Sequence, residues 1–164
     1  MMATIRMTGI EEYSRALQEL ERRTRDEVIG RAVYEGTAIV ADAVKSELTN
    51  LPTDSGRGSQ EHPLDGINRA QKTALIAAMG VSRMQEKDGF VHTKIGFDGY
   101  NPIKTKRWMQ GQPNAMIARS AERGTSFLKA NPFMKRAVRQ CKKRVIGIMG
   151  TIVDAEIKKI MDKK

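Results

Sequence analysis

The feature that most constrains this chain is a helix-start signal followed by an apolar pattern that keeps helical spacing almost to the last residue. Asn131 stands before Pro132, the order of an N-cap followed by a proline at the first helical position. Behind it come Phe133, Ala137, Val138, Cys141, Val145, Ile148, Met149, Ile152, Val153, Ile157, Ile160 and Met161. A helix over that span is about 45–50 Å long at ~1.5 Å per residue. That exceeds what the core of a 164-residue single domain needs to cover. The length predicts that part of the helix packs on another chain; a frayed tail, or a bend at Gly147 or Gly150, is the alternative.

The first half carries a second helical pattern. Thr8-Gly-Ile-Glu11 has capping-box spacing after the β-like stretch Ala3–Met7, with Tyr13, Leu17 and Leu20 behind it. Thr24-Arg-Asp-Glu27 repeats the box before Val28, Ala32, Val33, Ile39, Val40, Ala43, Val44 and Leu48. This reads as one long helix bent near Thr24 or as two consecutive helices. Gly30 and Gly36 interrupt the run, and Leu51 before Pro52 ends it. Residues 52–66 read as a flexible loop by composition. Lys72–Met79 is a helical stretch closed by Gly80. Val81–Met84, the Asp88-Gly89 turn and the alternation of Val91, Thr93, Ile95 and Phe97 predict a β-hairpin. A polar basic loop over 103–112 surrounds Trp108, which reads better as a packing or interface anchor than as a base-stacking platform. Asn114 is expected to cap a short helix that Gly124 ends with a positive φ. Thr125-Ser-Phe-Leu reads as a short edge strand. The fold class that follows is α+β, with long N- and C-terminal helices packed on a small antiparallel sheet, in a single domain over 1–164.

Familiar chemistries find no support in the pattern. Cys141 falls on an apolar helix face, the place of an inert buried thiol. His62 and His92 lie in different segments without a second His or Cys near them, so no metal or cofactor is expected. Gly56-Arg-Gly58 follows no strand and precedes no Gly-Lys-Ser/Thr, so it is a loop rather than a phosphate cradle. Ser55 and His62 lack a third group to form a triad. The chain is read as no enzyme. No apolar run reaches ~18 residues and the first residues lack the apolar core of a signal peptide, so a cytosolic, membrane-free setting is expected.

Charge is the other strong signal. Residues 1–100 hold 13 Lys/Arg against 15 Asp/Glu, whereas residues 101–150 hold 12 Lys/Arg against Glu122 alone. Lys104, Lys106, Arg107, Arg119, Arg123, Lys135, Arg136, Arg139, Lys142, Lys143 and Arg144 lie in this block. A solvated helix face, phosphate contacts with nucleic acid and a basic surface meeting acidic neighbours are all compatible with it. No helix-turn-helix spacing, RNP-type strand or zinc-ligand pattern supplies a reading module.

Four segments in order carry a family resemblance: Ile95-Gly-Phe-Asp-Gly-Tyr-Asn101, Gly111-Gln-Pro-Asn114, Ala118-Arg-Ser-Ala-Glu-Arg-Gly-Thr-Ser126 and Asn131-Pro-Phe-Met-Lys-Arg-Ala137. Together they resemble the tail-component proteins of long-tailed phages, the neck or tail-completion family that joins head to tail. The resemblance includes the Thr8-Gly-Ile-Glu11 helix start, the Glu-x-Gly-Thr element at Glu122–Thr125 and the Pro-Phe element at Pro132-Phe133. Where the family carries a Thr-Gly-x-Leu segment, this chain has the longer and more polar Asp54-Ser-Gly-Arg-Gly-Ser59. The resemblance implies an α+β virion protein, assembled in the host cytoplasm into a hexameric or dodecameric ring. Its partners would be the head connector, the tail terminator and the genomic DNA passing through the ring. It brings no catalytic residue and no cofactor. It makes Gly124, Thr125, Asn131, Pro132 and Phe133 structural. The cations Lys104, Lys106, Arg107, Arg119, Arg123, Lys135, Arg136 and Arg139 become candidates for a subunit interface or DNA channel. A small basic nucleic-acid-binding protein is the alternative.

Overall fold

The computed structural model describes residues 10–162. The Ala3–Met7 stretch and the Thr8 cap lie outside them. Two long helices dominate: α1 (Ile10–Thr49) and α4 (Phe133–Met161). Between them come α2 (Arg69–Ala78), the strands β1 (Met79–Val81), β2 (Gln85–Lys87), β3 (Phe90–His92) and β4 (Ile95–Phe97), and α3 (Asn114–Arg123). The class is α+β.

Helices α1 and α4 run antiparallel. Glu47 near the end of α1 meets Arg136 at the start of α4, Gly36 sits beside Val145 and Met149, and Arg31 meets Glu156. The second half of α4, whose length suggested a partner chain, packs on α1 of its own chain, and the helix passes through Gly147 and Gly150 without a break. Nor is α1 broken at Thr24. Glycine inside a helix costs roughly 1 kcal/mol relative to alanine. Here Gly36 returns close helix contact: a methyl group added there would stand 2.9 Å from Met149 Sδ.

The core gathers at the end of this pair where α1 finishes and α4 begins. Val44, Leu48 and Leu51 meet Leu75 of α2, Phe97 of β4, Ile117, Ala118 and Ala121 of α3, and Phe133 and Ala137 of α4. Phe97 and Phe133 pack edge to face with centroids 6.2 Å apart. Cys141 is buried at the rim of this region, as its helix face implied.

The hairpin forms around Asp88-Gly89, both at positive φ (54° and 77°), as a two-residue primed turn requires. Its ladder is split. β2 pairs with β3 near the turn, and β1 pairs with β4 nearer the core. Between the two ladders, Ser82 N–H donates to Lys94 O at 2.8 Å and Ser82 Oγ accepts from Lys94 N–H.

Two local expectations are corrected. Helix α2 starts three residues before Lys72, because Asn68 Oδ1 accepts from Ala70 N–H at 2.8 Å while Gln71 Oε1 accepts from Asn68 N–H at 2.9 Å. Asn114 is not a cap. It is the first residue of α3, buried, with Nδ2 donating to Asp98 O at 2.8 Å, and Pro113 precedes it. Its amide serves the turn after β4 instead of its own helix. Residues 52–66 form a loop, tied down by a bridge between Thr53 and Ile67 and another between Leu64 and Leu128.

Candidate functional site

The structural residues singled out in the basic half, Gly124, Thr125, Asn131, Pro132 and Phe133, converge on one joint between α3 and α4. Helix α3 ends when Gly124 turns to φ 74°, ψ 170°, its N–H donating to Ser120 O at 2.8 Å. The positive φ is the expected one, but the ψ lies outside the left-handed helical region, in a zone that essentially only glycine occupies. An added Cβ would also meet Ala130 N at 2.8 Å. Thr125-Ser-Phe-Leu is a tight turn rather than an edge strand. Thr125 N–H donates to Leu128 O at 2.8 Å and Thr125 Oγ1 accepts from Phe127 N–H at 3.2 Å. The turn leaves Phe127 half exposed and folds the chain back, so that Asn131 N–H donates to Ala121 O at 2.7 Å.

The cap of α4 is where sequence and structure part. Pro132, not Asn131, precedes the first helical residue, and proline has no side-chain acceptor. The acceptor comes from α3. Glu122 Oε2 accepts from Met134 N–H at 2.9 Å and Oε1 from Lys135 N–H at 3.1 Å. A carboxylate is a stronger acceptor than an amide, and its charge suits the positive end of the helix. Asn131 is displaced from the role: its Oδ1 is buried without a hydrogen-bond partner among the described residues. The one acid among 12 cations in residues 101–150 is thus the pin that joins two helices. Phe133, fully buried, drives the same joint into the core.

Around this joint the cations separate into three groups. Arg119 and Arg123 on α3 and Lys135 and Arg139 on α4 are exposed, and none of them forms an ion pair with a described residue. Arg136 differs: its Nε donates to Glu47 Oε2 at 2.8 Å, and Gln140 Nε2 donates to Glu47 Oε1 at 3.0 Å. Arg136 is therefore a tie between α4 and α1 within the chain, which corrects its place among the cations free to face a partner. Lys104, Lys106 and Arg107 stand on the loop anchored by Asn101 N–H to Gln112 O at 2.9 Å, beside the start of α3. Ten helical residues, about 15 Å, separate that loop from the joint, so Lys104, Lys106 and Arg107 stand apart from the cations around it. Trp108 is half-buried with the Arg107 guanidinium 5.6 Å from its ring centroid, so a cation already lies over the indole.

Other groups weighed in the sequence are placed as follows. Ser55 and His62 are exposed and share no hydrogen bond. Gly58 lies against the Phe127 carbonyl, where an added Cβ would come within 2.3 Å, so the Gly-Arg-Gly run serves loop packing. Among the described residues no cluster of His, Cys, Asp and Glu is arranged to hold a metal, and no helix is long and apolar enough to cross a membrane.

The sequence did not point to an apolar groove on the other side of α1. Tyr34, Thr37 and Ala38 of α1 and Val81, Ser82, Arg83, Met84 and Thr93 of the hairpin line a cleft of about 450 Å³. It continues, through Thr37 and Thr93, into one of about 330 Å³ that reaches Ile95, Val145 and Met149. Thr37 and Thr93 hydroxyls are hydrogen-bonded at 2.7 Å where the two meet. The alternation of Val91, Thr93, Ile95 and Phe97 predicted the hairpin, but not which helix would border it.

Comparison with family models, with curated proteins and with solved structures finds no match to this chain.

Proposed function

We propose that this protein is a structural component of a phage virion, forming a ring in the neck that joins the head connector to the tail. One observation carries the reading. The segments that bear the resemblance, Glu122–Thr125 and Pro132-Phe133, make a single joint around which Arg119, Arg123, Lys135 and Arg139 are exposed without an ion-pair partner among the described residues. A joint that spends its lone carboxylate on fixing two helices and leaves its cations unpaired suits a surface that meets acidic groups on a neighbour or the phosphates of passing DNA. A genome that must slide is poorly served by tight phosphate binding, which favours neighbouring subunits for these cations. Images of the purified protein and of virion necks test the reading. A symmetric ring at the head–tail junction is expected; a protein that stays monomeric at high concentration and is absent from virions refutes it.

The same unpaired cations favour a second reading, a small basic protein that binds nucleic acid. A salt titration of DNA binding separates the two. Affinity that persists near physiological salt, with a slope equivalent to several released counterions, supports the second.

A further inference from the structure

The two long helices have outer faces that no described residue covers. At 3.6 residues per turn, two residues turn a helix by about 200°. Gly36 of α1 meets Val145 and Met149 of α4. Tyr34 and Ala38, two residues to either side of Gly36, therefore point away from α4. Gly147, two residues from both Val145 and Met149, points away from α1. Exposure agrees, with Tyr34, Glu35, Ala38 and Asp42 exposed on α1 and Lys143, Ile146, Gly147 and Gly150 on α4. A methyl group added to Gly147 or Gly150 would meet no atom within 4 Å. Glycine weakens a helix, and nothing among the described residues calls for it at either position.

The two faces carry opposite charge. From Glu27 onward, α1 exposes Glu27, Glu35 and Asp42, none in an ion pair with a described residue, against Lys45; Arg31 is tied to Glu156. On α4, Lys135, Arg139, Lys142, Lys143 and Arg144 are exposed and likewise unpaired, and Asp154 is the first exposed acid. Heights along the pair are fixed by its own contacts. Glu47 lies level with Arg136 and Gln140, Gly36 with Val145 and Met149, and Arg31 with Glu156. Both helices rise ~1.5 Å per residue, so Asp42 is level with Lys142 and Lys143, Tyr34 with Gly150, and Arg31 close to Asp154. Glu27 falls at the last turn of α4, which holds Lys158. Lys45, level with Arg139, is the one mismatch.

We propose that the outer face of α1 in one copy packs on the outer face of α4 in the next, so that α1 and α4 alternate around the assembly. A rotation axis parallel to the helices carries every residue to the same height in the neighbouring copy. The levels within one chain are therefore the levels of the contact. Asp42 meets Lys142 and Lys143, Arg31 comes to Asp154, and Tyr34 seats over the bare Gly147 and Gly150. The two surfaces differ, so the contact repeats from copy to copy and closes into a ring when the rotation permits. Charge selects this occupant, because the chain itself holds the acidic helix face that complements the basic one. Phosphates would use the cations alone, whereas the exposed Ile146 and the two glycines suit a helix. The inference deepens the ring reading by naming what joins neighbours, and rests on that reading only for closure.

Charge reversal on each face tests it. Asp42→Lys makes one variant, and Lys142→Glu with Lys143→Glu makes the other; all three positions are exposed. Circular dichroism checks that each keeps its helix content, and sedimentation analysis reads the assembly. Wild type is expected to form species larger than a dimer, and each variant alone to associate at least about tenfold more weakly, because like charges then face each other. An equimolar mixture should regain wild-type assembly, since copies that alternate around the ring pair opposite charges at every contact. Gly150→Gln removes the seat of Tyr34 while supplying a better helix former, so it should weaken assembly without lowering the unfolding midpoint measured at low concentration. A monomeric wild type, undiminished assembly by any one of these variants, or a mixture that stays dissociated overturns the proposal. If the Lys142 and Lys143 reversals abolish duplex DNA binding and leave assembly intact, the face belongs to nucleic acid and the proposal is wrong. Rings that persist in virion necks despite the reversals would sink this contact and leave the ring reading intact. Assembly through the contact with no protein in virions would do the reverse.

Discussion

Replacing Glu122 by alanine should be among the more damaging changes available at a partly exposed position. The side chain holds two backbone N–H groups at the start of α4, Met134 at 2.9 Å and Lys135 at 3.1 Å, from a different helix. Loss of a helix cap costs roughly 0.5–2 kcal/mol. A hydrogen bond to a charged group contributes about 1.5–3 kcal/mol where it is shielded. The carboxylate also sits at the positive end of a 29-residue helix, a favourable placement of about 0.3–1 kcal/mol. These contributions overlap, because water replaces part of what is lost, and about 2–3 kcal/mol is expected for Glu122→Ala. Glu122→Gln keeps one acceptor oxygen but turns an amide N–H₂ toward the second donor, so about half that loss is expected. Urea denaturation at low protein concentration measures both, with the slope unchanged if only stability is altered. In thermal unfolding the alanine variant should melt about 4–12 °C lower, at roughly 2–4 °C per kcal/mol for a domain of this size. Asn131→Ala is the internal control, because its Oδ1 accepts no hydrogen bond from the described residues. If Asn131→Ala costs more than Glu122→Ala, or if the latter leaves the midpoint unmoved, the assignment of the cap to α3 is wrong.

Other outcomes follow from the same geometry. Gly124→Val should destabilise by about 1–3 kcal/mol, since its φ of 74° with ψ of 170° is closed to side chains and Ala130 blocks the added carbon; an unchanged unfolding midpoint would refute this. Phe133→Ala should cost about 3–5 kcal/mol, as a fully buried ring stacked edge-on against Phe97 is lost. A double-mutant cycle of Arg136→Ala and Glu47→Ala should give a coupling of roughly 0.5–1 kcal/mol that shrinks in high salt, since the arginine side chain is 40% exposed and the glutamate 13%; zero coupling would return Arg136 to the free cations. Replacing Arg119 and Arg123 together by serine should leave the urea midpoint within about 0.5 kcal/mol, because both are exposed and unpaired. The same variant should weaken ring assembly, read by sedimentation.

What the sequence alone determined was local. The spacing from Phe133 onward defines α4 because an apolar face at a period of 3.6 has one regular solution. Asp88-Gly89 defines a hairpin turn because few residue pairs accept positive φ twice. The positive φ of Gly124 was legible for the same reason. What tertiary structure decided were choices between equivalent local options. Thr24 and two glycines left α1 open to a break; along the glycine stretch the long face of α4 packs on it, with close approach at Gly36, and the helix runs through. Asn131 and Asn114 both look like caps, yet one is bypassed because Glu122 reaches the α4 donors first, and the other is drawn away by the Asp98 carbonyl. The basic block reads as one unit in sequence; folding paired Arg136 with Glu47, 89 residues away, and Lys129 with Asp65, and set Lys104, Lys106 and Arg107 apart from the cations of the α3–α4 joint. A residue's own neighbours set its backbone preference, whereas the partner of its side chain is fixed only when distant segments pack.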